Sequence, residues 1–234
     1  MWQRLDLRRV PVLTIAVFLV TAVVSIVQLT FAPRLLTDLE RTPAGLHGDW
    51  WRTITSLTVQ DGGWAGALSN LIFLLALGTI AEQLVSRWRW AICYLGAGLA
   101  GELVAYSWQP TGGGNSIANC GLAAIIVIAV MRSAIGGRDE RPGPLTLGGP
   151  AVAALWIGVL LATWHYPLIL IGVVAVPLTQ IAVRRGWARY ALPGFAVVVG
   201  VLLCVVQNIH GAALLTGLVI AAIPAPDPLP ASKA

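Results

Sequence analysis

The sequence predicts an all-α fold, a polytopic bundle of transmembrane helices, and three observations predict it. Only 11% of the 234 residues are charged and 57% are hydrophobic, whereas a soluble domain is roughly 25% charged. Apolar runs of helical length recur along the whole chain. Arginines gather between alternate runs, the pattern that orients membrane helices with their positive loops inside. An ionised side chain at the centre of a membrane helix costs about 2.5–3.5 kcal/mol or more, so scarcity of charge is what lipid demands. The formal charge of +5 matters less than this distribution.

The first apolar run, from Val10 to Ala32, follows Arg4, Arg8 and Arg9. At about 20 residues it is long enough to span a bilayer. No small-residue cleavage site follows, so it reads as a retained signal-anchor. Further runs lie at 66–85, 90–107, 117–131, 149–164, 167–183, 191–206 and 209–223. Backbone polar groups in lipid must be paired within their own segment, so each run is expected to be a helix. Pro167 divides 149–183, and Asn208 and His210 interrupt 191–223.

With 149–183 as a hairpin, Arg4, Arg8, Arg9, Arg87, Arg89, Arg132, Arg138, Arg141, Arg184, Arg185 and Arg189 all fall on one side. That side is the cytoplasm by the positive-inside rule. Eight spans with both termini inside result, and six spans with one hairpin not crossing is the alternative. The long loop 33–65 contains Trp50, Trp51 and Arg52. An aromatic belt at the membrane interface explains the tryptophans without needing the arginine. The chain divides into a transmembrane domain, 1–224, and a Pro-rich tail, 225–234, expected to be disordered. Cys93, Cys120 and Cys204 all lie in apolar runs and read as buried thiols. Their odd count and spacing fit neither a disulfide framework nor a metal site. No cofactor, no metal and no nucleic-acid partner is expected.

Polar residues within the runs are few, and each is a functional candidate: Asn70, Glu82, Glu102, Ser116, Asn119 and His210. Two can be placed in depth. From Ser116 to Arg132 a helix rises roughly 24 Å, and from His210 to Pro224 roughly 21 Å. Both fall short of a hydrocarbon core about 30 Å thick, and both helices start on the outer side. Ser116 and His210 therefore come within about one turn of each other in depth. A serine hydroxyl becomes an effective nucleophile when an adjacent base takes its proton, and neutral histidine is such a base near pH 7. Ser116 opens its helix, where free N–H groups favour an oxyanion. Gly112, Gly113 and Gly114 before it allow a peptide backbone to come close. The plainer alternatives are a serine N-cap and a histidine used in packing or proton handling. The local sequence G-N-S-I-A is not the G-x-S-x-G elbow of soluble hydrolases.

These residues resemble the rhomboid intramembrane serine proteases from about residue 48 to 224. "WWRTITSLTVQDGG" resembles the Trp-Arg segment of their first loop, and "SNLIFLLALGTIAEQLVS" their second core helix, with Asn70, Gly78 and Glu82 in frame. "YLGAGLAGEL" resembles the third, "GGGNSIANCGLAA" the nucleophile segment, and "IHGAALLTGLVIA" the last helix. The resemblance implies a six-helix core, Ser116 as nucleophile, His210 as base, Asn70 as an oxyanion donor and Gly114 in the nucleophile loop. The sequence departs from the family pattern at Gly66, where a histidine is common four residues before the asparagine. It departs also at Ile117 in place of glycine, at Cys120 in place of an aromatic residue, and at Gln60 in place of a loop histidine. Asn115, next to the nucleophile, is the candidate substitute donor. The long separation of Ser116 and His210 implies an inserted hairpin.

The reading that results is a multi-pass protein, in a bacterial plasma membrane, that cleaves peptide bonds in or near transmembrane segments of other membrane proteins. Its partners are then those transmembrane substrates and the lipid bilayer. A catalytically inactive relative that binds membrane clients is the alternative. A transporter with Asn70, Glu102, Asn119 and His210 as a polar path is a third possibility, for which an inverted repeat would be the signature.

Overall fold

The computed structural model describes residues 10–132 and 144–224. The expected tail and Arg4, Arg8, Arg9, Arg138 and Arg141 lie outside the described residues. Ten α-helices are described: α1 (Val12–Ile26), α2 (Arg34–Leu39), α3 (Arg52–Thr55), α4 (Gly63–Leu84), α5 (Arg87–Trp108), α6 (Ser116–Arg132), α7 (Pro144–Leu160), α8 (Ile169–Arg184), α9 (Ala188–Val205) and α10 (Ile209–Ala222). A π-helical turn carries α1 on to Phe31. The eight apolar runs correspond one for one to α1 and α4–α10. Four helical stretches, Val12–Phe31, Gly63–Leu84, Tyr166–Arg184 and Ala188–Val205, are long and apolar enough to cross a membrane by length and composition; α6, α10 and the apolar part of the α7 region are shorter.

Polarity in α1 is reversed relative to a soluble helix. Its buried side chains are Thr14, Thr21 and Ser25, followed by Gln28 in the π-helical turn, while Leu19, Val20 and Val23 are exposed. In lipid the apolar side chains face outward and the small polar ones pack against protein. Glu82 of α4 grips the start of α1. Its carboxylate accepts from Leu13 N at 3.1 Å, Thr14 N at 3.0 Å and Thr14 Oγ1 at 3.0 Å. A carboxylate at a helix N-terminus satisfies unpaired N–H groups and opposes the dipole. Arg87 reaches the same carboxylate at 3.5 Å.

Glycines bring α5, α6, α9 and α10 to backbone contact, the packing mode open to helices that gain little from hydrophobicity against one another in lipid. A Cβ at Gly121 would lie 2.0 Å from the Cys93 carbonyl oxygen, and one at Gly217 would lie 3.1 Å from Gly121 Cα. At Gly211 it would lie 2.5 Å from the Gly200 carbonyl oxygen. The α7–α8 hairpin closes in the same way, at Gly158 against Gly172. At the far end of α10, Arg89 donates to the Ala221 carbonyl at 2.8 Å and to Ile223, and Arg132 donates to Ala222. Arginines so placed satisfy the last carbonyls of a helix. Cys93 and Cys120 are buried as expected, but Cys204, near the end of α9, is partly exposed.

The loop between α1 and α4 is built rather than loose. Arg52 donates to the Thr37 carbonyl at 2.9 Å and the Glu40 carbonyl at 3.1 Å and pairs with Asp49 at 3.2 Å. Trp50 and Trp51 stay exposed. The arginine thus ties the loop together while the tryptophans face outward. Glu40 sits in the same loop with its pKa raised above the ordinary carboxylate value, by burial first and by the neighbouring Asp61 charge second.

Candidate active site

Ser116 is the first residue of α6, and His210 lies in the first turn of α10. The close contact of α6 and α10 brings Ser116 Oγ to 2.9 Å from His210 Nε2. The two residues are 94 apart in sequence. His210 is buried and Ser116 is partly exposed. A hydroxyl in hydrogen-bond contact with an imidazole nitrogen can give up its proton along that bond.

His210 owes its position to the corner between α9 and α10. The corner turns through Gln207, a non-glycine residue with φ of 55°. Asn208 follows as N-cap of α10, its Oδ1 accepting from His210 N at 3.1 Å. The same oxygen lies 2.8 Å from His210 Nδ1. Asn208 Nδ2 donates to Thr163 Oγ1 at 2.9 Å. Sequence reading saw in Asn208 only an interruption of an apolar run and did not single out Thr163. The two-residue spacing of an N-cap asparagine before the histidine is the one signal that could have found the pair.

The glycine loop differs from its expectation. The close approach it permits is made by the chain's own first loop. Arg41 and Gly112 exchange backbone hydrogen bonds of 3.0 and 3.2 Å. Asp61 N donates to the Gly113 carbonyl at 3.1 Å, Gly113 N donates to Asp61 Oδ2 at 3.2 Å, and Gly114 N donates to the Ser56 carbonyl at 2.8 Å. Gly112 has φ of +134°, and a Cβ there would meet Asp61 Oδ2 at 2.7 Å. A side chain is excluded there by backbone conformation and by space alike. The result is a loop braced at each of its three glycines.

Arg41 braces it further. Its guanidinium donates to the Gln109 carbonyl at 3.0 Å and the Thr111 carbonyl at 3.2 Å, and pairs with Glu102 of α5 at 2.5 Å. Both side chains are almost wholly buried. Glu102, a member of the imagined polar path, is thus engaged in a structural ion pair.

Beside Ser116 lies a row of amides. Asn70 Nδ2 donates to Gln60 Oε1 at 2.8 Å, and Gln60 Nε2 donates to Asn115 Oδ1 at 3.1 Å. Gln28 closes the row by exchanging two hydrogen bonds with the Gln60 backbone, at 2.7 and 2.8 Å. Asn119 Nδ2 donates to the Asn70 carbonyl at 3.1 Å. The point where a Gly114 Cβ would stand is 3.5 Å from Asn70 Nδ2, 3.6 Å from Gln60 Oε1 and 3.7 Å from Ser116 Oγ. Asn70, Gln60 and Ser116 therefore surround Gly114. Asn115 is buried and tied to Gln60 rather than solvated. Gly66 has open space where a side chain would go. Gln60 had stood out in the sequence only as a departure from a family pattern. Its place at the centre of the row was not legible there, nor was the contribution of Gln28.

A family model described as the Rhomboid domain matches residues 47–175, more than half of the 234 residues. The chain belongs to the rhomboid family. Rhomboid protease GluP of Bacillus subtilis (strain 168) is 29% identical over 87 residues, which is 36% of this chain and 17% of that relative. The chain thus spans under a fifth of that relative's length. No solved structure matches the chain significantly. Family membership together with the apolar helices makes this rhomboid an integral membrane protein.

Proposed function

We propose that this rhomboid is an intramembrane serine endopeptidase, with Ser116 as nucleophile and His210 as general base. The observation that carries the reading is the 2.9 Å contact between Ser116 Oγ and His210 Nε2, made at a serine that remains partly exposed. In the proposed reaction Nε2 takes the hydroxyl proton as Oγ attacks the scissile carbonyl carbon. The tetrahedral intermediate collapses with the proton passing to the leaving amine, giving an acyl-enzyme on Ser116 that water then hydrolyses. Asn70, beside Gly114 and Ser116, is the proposed oxyanion donor. Asn115, through its tie to Gln60, shapes the same row. The substrates are transmembrane segments of other membrane proteins, which reach the site from the lipid. The basic side, with Arg87, Arg89, Arg132, Arg184, Arg185 and Arg189, is proposed to be cytoplasmic, with the site near the opposite face.

The test is cleavage of single-span proteins reconstituted in liposomes with the full chain. Cleavage by wild type and none by Ser116→Ala is the expected result. Equal client binding by both with cleavage by neither would leave the protein a non-catalytic membrane-client binder.

A further inference from the structure

The hydrogen bonds behind His210 run in one determined direction. Thr163 ends the short 3-10 turn Leu161–Thr163 at the apex of the α7–α8 hairpin. Its hydroxyl donates to the Leu160 carbonyl at 2.6 Å. With its one proton committed there, Thr163 Oγ1 faces Asn208 as an acceptor. The Asn208 amide must then turn its NH₂ to Thr163 and its oxygen to His210. A second contact fixes the same orientation, because the His210 backbone N–H is only a donor and it points at Asn208 Oδ1. The 2.8 Å contact between Asn208 Oδ1 and His210 Nδ1 therefore requires the proton on Nδ1. A neutral imidazole protonated at Nδ1 has a bare Nε2, and that nitrogen is the one 2.9 Å from Ser116 Oγ.

We propose that Asn208 and Thr163 are a positioning pair that holds His210 in the tautomer able to accept the Ser116 proton. The inference deepens the proteolytic reading and rests on it for its catalytic consequence. The orienting group is a neutral amide, so it sets tautomer and ring angle without adding negative charge. When Nε2 takes the serine proton, Nδ1–H stays on Asn208 Oδ1 and no second proton moves. The pair also gives the hairpin a role in the site, because its apex supplies the last side chain of the chain of hydrogen bonds.

The experiment is ¹⁵N NMR of the full chain in detergent micelles with ¹⁵N-labelled histidine, at a pH where the imidazoles are neutral. The chain has three histidines, and the His210 signals are identified by their loss in His210→Gln. Wild type should show Nδ1 protonated and Nε2 bare. Asn208→Ala and Asn208→Ser should shift His210 toward a mixture, Asn208→Asp should keep Nδ1 protonated, and Thr163→Val should shift it less, because the His210 N–H still holds Asn208 Oδ1 in place. Serine caps a helix as well as asparagine does, so Asn208→Ser decides the matter if Asn208→Ala fails to fold. An Nε2-protonated wild type, or a tautomer unmoved by Asn208→Ala and Asn208→Ser, overturns the proposal. In cleavage assays Asn208→Ala should lower kcat by up to about 100-fold, a share of what general-base catalysis supplies, while KM holds and Asn208→Asp recovers part of the loss. A protein that neither cleaves nor labels at Ser116 would sink the proteolytic reading alone, since the tautomer measurement stands without it.

Discussion

Asn70 and Gln60 share a hydrogen bond of 2.8 Å, from Asn70 Nδ2 to Gln60 Oε1, at the edge of the Ser116 site. The donor proposed for the oxyanion is therefore held in place by a neighbouring acceptor before any substrate arrives. Removing one oxyanion donor costs roughly 10²–10³ in rate. Asn70→Ala should lower kcat by about that factor, as read from cleavage rates at saturating substrate. Gln60→Leu should lower it less, since Asn70 remains but loses its partner. An Asn70→Ala variant as fast as wild type would remove the oxyanion assignment.

Gly66 lies one turn before Asn70 on the same face of α4, and nothing stands within 4 Å of where its Cβ would be. A Cβ fits there without displacing a neighbour. Gly66→His should fold normally and raise turnover, by supplying a second donor toward the developing charge. Asn115→Ala should lower turnover through the loss of its bond to Gln60. An unchanged rate in a well-folded Gly66→His would mean that no donor is missing.

Ser116→Ala and His210→Ala should each abolish cleavage, and the double variant should be scarcely worse than either. Members of one catalytic unit are strongly non-additive. A serine-reactive phosphonate should label wild type and neither variant. Additive losses would argue that the two residues act separately.

The Arg41–Glu102 pair is almost wholly buried. Removing one partner of such a pair typically costs about 3–5 kcal/mol, because the other charge is left uncompensated. Thermal unfolding in detergent should show Glu102→Ala and Arg41→Ala each strongly destabilised. Glu102→Gln should be milder, since the amide oxygen can still accept from the guanidinium. Little change in Glu102→Ala would show the pair to be dispensable.

Membrane orientation can be checked with single cysteines in a Cys-free background. Gly112 suits this poorly, given its backbone conformation and the Asp61 carboxylate beside it. Asp38 in the first loop and Arg185 between α8 and α9 are both exposed. Asp38→Cys and Arg185→Cys should react with an impermeant maleimide from opposite sides of the membrane. Labelling from the same side would overturn the arrangement.

Most of the helices were legible because lipid makes composition speak for length. Runs such as 66–85 and 117–131 became α4 and α6 within a few residues at each end. Ser116 and His210 were legible as a pair because helix rise fixes depth, and the two helices start on one side. What stayed hidden depended on side-chain direction across long separations. Gln28, Gln60 and Thr163 are single polar residues, and nothing along the chain says which neighbour each one meets. The glycine triplet misled in a specific way. Its spacing announced close approach, but only the folded first loop shows that Arg41, Ser56 and Asp61 are what approaches.

The arginine grip on the end of α10 makes that helix a ruler. From His210 to Ala222 it rises about 18 Å at 1.5 Å per residue, with Arg89 and Arg132 holding the Ala221 and Ala222 carbonyls at one end and Asn208 holding the histidine at the other. The depth of the imidazole is thus counted from the opposite face of the bundle. One residue inserted into α10 would turn His210 by about 100° and lift it by about 1.5 Å, with every side chain of the site still present. The chemistry at one end of α10 is gauged by a pair of arginines at the other.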